Sequence, residues 1–411
     1  MNPLPALPPP HRYLAPQFTD DNFAWHGDCR HFEGGLPCKF WRPCVGCDLY
    51  DPVDHRVLIV MLGLHGDMLI ASPLPARIKR DHPRAHITWL TDEAHAPVLR
   101  MNPYVDRVLI FDWRAAAQLP SETYDAVYSF EREPAAAALV ERIPAAHKAG
   151  LAYGGPNNTL YAIGEAAHHF FKMNIWNDYR TIVNTKTWTE LYFEVAGYVY
   201  DAEPYVLQIP PAAQRRVRGL LGAEWPGPRI LLNVGSSLIT KMWPEDHWLS
   251  LGRGLLSRGY QIVITGGPKE EQMCQRLSAA LAAQDADGVR YTPLSVEEFC
   301  AVAAYCDVIV TGDTFGFHVA LAHERPCVLI LGPSNGAEVI PKHVRTVATL
   351  RSTLPCAPCA HQIGCGGVGG CTSTIQPRAV LADVDRHLQA SNDFRPRLPA
   401  WEDAGRSPAT D

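Results

Sequence analysis

The sequence predicts two doubly wound α/β domains facing one another across a cleft, preceded by a cysteine-rich extension. Three observations lead there. At 411 residues the chain is too long for one ordinary core and about right for two. Strand-length apolar runs alternate with helical stretches, as in a parallel sheet wound by βαβ units. The alternation stops in a proline-rich stretch (Pro204, Pro210, Pro211, Pro226, Pro228) and then begins again.

Residues 1–28 read as unstructured, and 29–50 carry too few periodic apolar residues for a strand or helix. The first regular element is His55–Leu62 (HRVLIVML), a buried-strand run. A glycine-containing loop follows (Gly63–Gly66), then a helix from Asp67 to about Arg80 that Pro73 and Pro75 should bend. Further strands are expected at His86–Leu90, Arg107–Phe111 and Asp125–Phe130. The second series opens with Arg229–Val234 and a helix from Pro244. It continues with strands at Gln261–Thr265, Asp307–Thr311 and Pro326–Leu331, and helices at Glu270–Ala283, Val296–Tyr305 and Thr314–His323. A last helix covers Pro377–Leu388, with a loose tail beyond Ala390. The expected division is 1–50, 51–205, 206–390 and 391–411.

Composition narrows the partners. With 47% hydrophobic and 19% charged residues the chain is globular, and a net charge of -6 gives no footprint for nucleic acid. No run approaches the ~18 apolar residues of a membrane span. Met1–Pro16 lacks the basic start and apolar stretch of a secretory signal, so a cytoplasmic address is expected.

In doubly wound sheets ligands sit beyond the carboxyl ends of the strands, so the loops after Leu62, Val234, Thr265 and Thr311 should line one cleft. LGLHGD (Leu62–Asp67) opens a helix, where Gly66 and the backbone amides can attract an anion, but it lacks the full GxGxxG spacing of a dinucleotide dehydrogenase. Asp67 can cap that helix or take a proton from an attacking hydroxyl. In NVGSSLITKMWPEDHW (Asn233–Trp248), Ser236 and Ser237 can donate to phosphate oxygens and Lys241 can offset a leaving diphosphate, or stand as a solvated lysine. ITGGPKEEQ (Ile264–Gln272) places Gly267 in a strand-end turn and Glu270 at a helix start. There the carboxylate can accept ribose hydroxyls or simply favour the helix dipole. VIVTGDTFGFHVALA (Val308–Ala322) puts Asp313 and Thr314 at a strand-to-helix junction, with His318 one turn on. Because its charge would repel a diphosphate, the Asp313 side chain is assigned to capping, and the phosphate contact to nearby amides and Thr314.

Taken in order and spacing, these four segments resemble glycosyltransferase family 9, the lipopolysaccharide heptosyltransferases of GT-B fold. The likeness runs over roughly residues 55 to 390, and includes NPYVD (Asn102–Asp106) and the late CAPC segment. The resemblance implies an inverting, metal-independent transfer of a sugar, heptose from ADP-heptose, to a glycan, lipid-linked or protein acceptor, with no catalytic cofactor. It makes Asp67 the general base. Gly66, Ser236, Ser237, Lys241 and Gly267 become donor contacts, Glu270 the ribose contact, and Asp313, Thr314 and His318 the diphosphate and sugar contacts. It also admits contact with the inner face of the membrane. The family's glycine after Asp-Thr is Phe315 here, with Gly316 following. Asp285-Ala286-Asp287 and Asp383-Val384-Asp385 imitate a metal-binding DxD, but read as a turn and part of the last helix.

The twelve cysteines divide into three sets. Cys274, Cys300, Cys306 and Cys327 lie in apolar or helical settings and read as core residues. Cys29, Cys38, Cys44 and Cys47 form one tetrad, and Cys356, Cys359, Cys365 and Cys371 another. Four thiolates suit a structural Zn or Fe that pins loops, and a reducing compartment favours metal over disulfide. Two other classes stand beside the transferase: a nucleotide-sugar epimerase of the same architecture, and a redox or metal-binding protein built on the clustered thiols.

Overall fold

The computed structural model describes residues 25–32, 38–40, 44–221, 227–360 and 370–391. Two six-stranded sheets carry the fold. The first contains β1 (His55–Val60), β2 (Ala85–Thr91), β3 (Arg107–Ile110), β4 (Tyr124–Ser129), β5 (Ala145–Gly154) and β6 (Thr159–Ile163), in the order β3-β2-β1-β4-β5-β6. The second contains β7 (Arg229–Asn233), β8 (Gln261–Thr265), β9 (Val289–Tyr291), β10 (Val308–Gly312), β11 (Cys327–Leu331) and β12 (Val347–Arg351), in the order β12-β11-β10-β7-β8-β9. Every pairing is parallel except β5 with β6.

The strands that the sequence shows most clearly are those buried on both faces. Val57–Val60 are fully buried between β2 and β4, with Ile59 opposite both Trp89 and Tyr128. A strand covered on both sides reads as a continuous apolar run. The strands it shows poorly are β5, β6, β9 and β12. The first is rich in Ala and Gly, β9 has three residues, and β6 and β12 are partly exposed edges. In β5, Gly150 has φ +115, and a Cβ there would fall 1.9 Å from the Ser129 carbonyl oxygen; only glycine lets β5 approach β4 this closely.

The expected bend after Asp67 is a full break. His65–Ala71 ends at Ser72, and a second helix, Pro73–Asp81, starts with proline in its first position. Pro244 caps rather than opens Glu245–Leu256. The four scattered cysteines are buried, as expected of core residues. Among the described residues no helix is long and apolar enough to cross a membrane.

The two lobes are joined by a packed seam. Helix His65–Ala71 lies against Phe315–Ala322, and Ala96–Arg100 against Val296–Tyr305. Arg180 donates to both oxygens of the buried Glu338 (2.8 and 3.1 Å), and the Asn335 amide donates to the Arg180 carbonyl.

Candidate active site

The loops after β1 and β10 meet at that seam, and within the second lobe the loop after β7 joins that after β10 on one side and that after β8 on the other. Gly66 faces the second lobe so closely that a Cβ would sit 3.1 Å from His318 Cδ2, and the His65 ring lies 5.3 Å from that of Phe315. Gly235 and Gly267 approach one another around the Glu270 carboxylate.

Asp67 occupies the third position of its helix, and its Oδ2 accepts the Leu64 N–H at 3.0 Å. It therefore does cap the helix, and capping fixes the carboxylate at the cleft rim. Burial raises its pKa; the Leu64 N–H and the Lys241 charge oppose this, while the charges of Asp313 and Glu131 add to it. The carboxylate is thus more basic than an exposed aspartate.

Lys241 is no solvated lysine. It lies at the end of the turn Ile239–Lys241, and its Nζ donates to Asp313 Oδ2 at 2.6 Å and to the Asp313 carbonyl at 3.1 Å. The capping assignment for Asp313 is overturned. Thr314 is the cap residue of Phe315–Ala322, no side chain bonds there, and the Asp313 carboxylate is taken up by Lys241 and by the Ser334 hydroxyl at 2.5 Å. Burial alone would raise the Asp313 pKa, but Lys241, His318 and Ser334 outweigh it and hold it at about 2. A paired Asp313 also answers the repulsion argument, because its charge is already balanced.

His318 is buried, with Nδ1 unpartnered, and burial lowers its pKa to about 4 against the upward pull of Asp313. The neutral imidazole can donate or accept toward a bound sugar. Thr314 sits in a hydroxyl network: Asn233 Nδ2 donates to Thr311 Oγ1 (2.9 Å) and to Thr314 Oγ1 (3.0 Å). Gly316 allows this, since a Cβ there would meet Asn233 Nδ2 at 2.5 Å.

Ser236, Ser237 and Glu270 line a cavity of about 590 Å³ with Ile239, Met242 and Lys269. Glu270 is almost buried, and its Oε2 accepts the Gly267 N–H at 3.0 Å. Lys241 is not on that cavity's wall; it points to Asp313. Both DxD look-alikes are spoken for. Asp285 Oδ1 accepts N–H bonds from Asp287 and Gly288, and Asp385 accepts from Arg258 and Tyr260.

Sequence reasoning missed Glu131, Ser334 and Asn233. The first follows directly on the strand read as ending at Phe130, and an acid at such a strand end was the available signal. Ser334 and Asn233 became recognisable only through their partners.

The NPYVD segment is structural. Asn102 donates to the Ser72 carbonyl, and Asp106 accepts from Arg30, Lys79 and the Ile87 N–H. Arg30 also bonds Asp51 and the Ala85 carbonyl, so the N-terminal cysteine segment is clamped at the amino ends of β2 and β3, opposite the cleft. Its four thiols, with His26 and His31, line a cavity of about 20 Å³. Of the late tetrad, Cys365 lies outside the described residues, Cys356 and Cys359 are half-buried and Cys371 is buried. The turn Cys371–Thr374 braces the lysine loop, with Thr372 Oγ1 donating to the Met242 carbonyl at 2.7 Å. Among the described residues no group of three or more His, Cys, Asp or Glu side chains is arranged to hold a metal ion.

Known proteins agree with this architecture. The chain is 26% identical over 300 residues to lipopolysaccharide heptosyltransferase 1 of Escherichia coli (strain K12), covering 68% of this chain and 88% of that protein. To the heptosyltransferase 1 of Pseudomonas aeruginosa it is 24% identical over 355 residues, 81% of this chain and 90% of the relative. The structure of E. coli ADP-heptose lps heptosyltransferase II superposes with a TM-score of 0.64 at 19% identity, covering 82% of this chain and 99% of that one, and so shares the two-lobed GT-B fold. The family profile of glycosyltransferase family 9 (heptosyltransferase) matches residues 113–364, and the chain belongs to that family of glycosyltransferases.

Proposed function

We propose that the protein transfers a heptose from ADP-heptose to a hydroxyl of a lipopolysaccharide or related glycan acceptor, with inversion and without a catalytic metal. The observation that carries this reading is a carboxylate of raised basicity, Asp67, held at the seam opposite Lys241, Asp313 and His318. The acceptor hydroxyl gives its proton to Asp67 while its oxygen bonds the anomeric carbon. The bond from that carbon to the diphosphate breaks, and ADP leaves with the electron pair. The amides opening Phe315–Ala322 offset the charge growing on the leaving group, the work a divalent ion does elsewhere, and Lys241, with two of its three N–H donors on Asp313, gives the third to a phosphate oxygen. Ser236, Ser237 and Gly267 hold phosphate oxygens, Glu270 the ribose, and Thr314 and His318 the sugar side of the diphosphate; the cavity of about 590 Å³ receives the nucleoside. Gly66 keeps the base loop close to His318.

The likeness to an ADP-heptose lps heptosyltransferase and to a lipopolysaccharide heptosyltransferase supports this choice of substrates, and the cytoplasm, at the inner face of the membrane, is where such an activity would act. A structural Zn or Fe at the cysteine tetrads belongs to the same proposal as a brace for loops, since Arg30 ties the first segment to Asp106 and Thr372 ties the second to the Met242 carbonyl. The test is ADP release from ADP-heptose in the presence of heptose-free lipopolysaccharide. Asp67→Asn should bind ADP as the wild type does and lose most turnover, roughly a hundredfold or more. Wild-type turnover should decline on the acid side at a pH above the ordinary carboxylate value of about 4, since the base must be ionised. Undiminished turnover in Asp67→Asn would remove it from the base role.

A further inference from the structure

Glu131 is a buried carboxylate that the transfer scheme above does not use. It stands two residues beyond the end of β4 and is 8% exposed. Its Oε2 accepts N–H bonds from Leu62 (2.7 Å) and Gly63 (3.4 Å), in the loop leading to Asp67; its Oε1 accepts from Arg132 and Glu133, both at 2.8 Å. Among the described residues no cation pairs with it. A buried charge held only by peptide N–H groups is a costly arrangement, and a neutral or apolar residue would serve a purely structural purpose more cheaply.

The geometry points to Glu131 as a positioning residue for the transfer reaction: it fixes the loop that carries Asp67 to the carboxyl end of β4, and sets a second carboxylate among the groups around Asp67. This rests on the reading of Asp67 as the base. The anchoring half follows from the bonds: Leu62 and Gly63 stand five and four residues before Asp67, and their amides tie the loop to the end of the neighbouring strand. The electrostatic half follows from sign. A second anion near a carboxylate disfavours its ionised form, and the Glu131 charge acts on Asp67 in that direction. The Lys241 charge opposes this and that of Asp313 adds to it, while Arg180 is the positive charge that bears on Tyr192, buried near both carboxylates.

Two substitutions separate the halves. Glu131→Gln removes the charge and turns an NH2 group toward two of the four amides. Turnover should fall ten- to hundredfold, as a displacement of about an ångström in a reacting group can cause, with ADP affinity by calorimetry unchanged and the acid limb of the turnover profile moved to lower pH. Glu131→Asp keeps the charge but stops one methylene short of the loop. Turnover should fall while the acid limb stays where it is in the wild type. Should Glu131→Gln not fold, Glu131→Asp decides: reduced turnover with the limb in place supports the assignment, and full turnover overturns it. The assignment is also overturned if Glu131→Gln retains wild-type turnover and limb, or if turnover, ADP affinity and thermal midpoint fall together with the limb unmoved, the pattern of a merely structural residue. Failure of the base reading looks different, because Asp67→Asn would then stay active whatever the Glu131 variants do.

Discussion

Asp313→Asn tests the electrostatic centre of the second lobe. The wild-type carboxylate takes the Lys241 ammonium at 2.6 Å and the Ser334 hydroxyl at 2.5 Å in a nearly buried place. Its pKa falls from the ordinary 3.8 to about 2. A depression of nearly two units corresponds to about 2 to 3 kcal/mol of folding stability at neutral pH. The sign follows from where protons bind. The unfolded chain takes up its proton first as pH drops, so the contribution is complete above about pH 4 and drains away as pH falls toward 2; about 1 kcal/mol of it is gone by pH 3. The variant carries the same shape without the charge, and leaves Lys241 partly buried and unpaired. Urea unfolding of both proteins at pH 7 and pH 3 should show the variant less stable by about 2 to 3 kcal/mol at pH 7, with the gap narrower by about 1 kcal/mol at pH 3. A gap that is absent at neutral pH, or equally wide at both, would refute the reasoning.

Gly316→Ala places a methyl 2.5 Å from Asn233 Nδ2, the amide that holds Thr311 and Thr314, so the helix or the network must shift. Overpacking of this kind costs about 1 to 3 kcal/mol, and a thermal midpoint lower by about 3 to 10 °C is expected; an unchanged midpoint would show that the contact yields freely. Protein purified without chelator should carry Zn or Fe by elemental analysis, and lose it in the double variants Cys44→Ser/Cys47→Ser and Cys356→Ser/Cys359→Ser. A metal-free wild-type protein with the same thermal midpoint as the variants would end the structural-metal reading.

Much of the fold was legible because it rests on central strands. Val57–Val60, Ile262–Ile264 and Val308–Val310 are apolar on both faces, and a glycine, proline or capping residue follows each where the chain turns into a helix. The same rule placed Asp67, Ser236, Lys241, Glu270 and Asp313 in the segments that follow strand ends, because in a parallel sheet every loop of that kind opens on one side. The edges were not legible. AAHKAGLAYG has little intrinsic preference for a strand, and becomes β5 because Gly150 can approach Ser129 and β6 folds back along it.

The sequence by itself determined which strands are central and where the chain turns from each into a helix, because strand periodicity and turn chemistry are local properties. Only the tertiary structure decided what the residues at those turns do. It set Asp313 against Lys241 across 72 residues and Glu131 against the Leu62 amide across 69. A carboxylate at a strand end looks the same in one dimension whether it caps, neutralises a lysine or biases a neighbouring base; partners and burial, which set its charge and proton affinity, exist only after the sheet of each lobe has brought distant strand ends together.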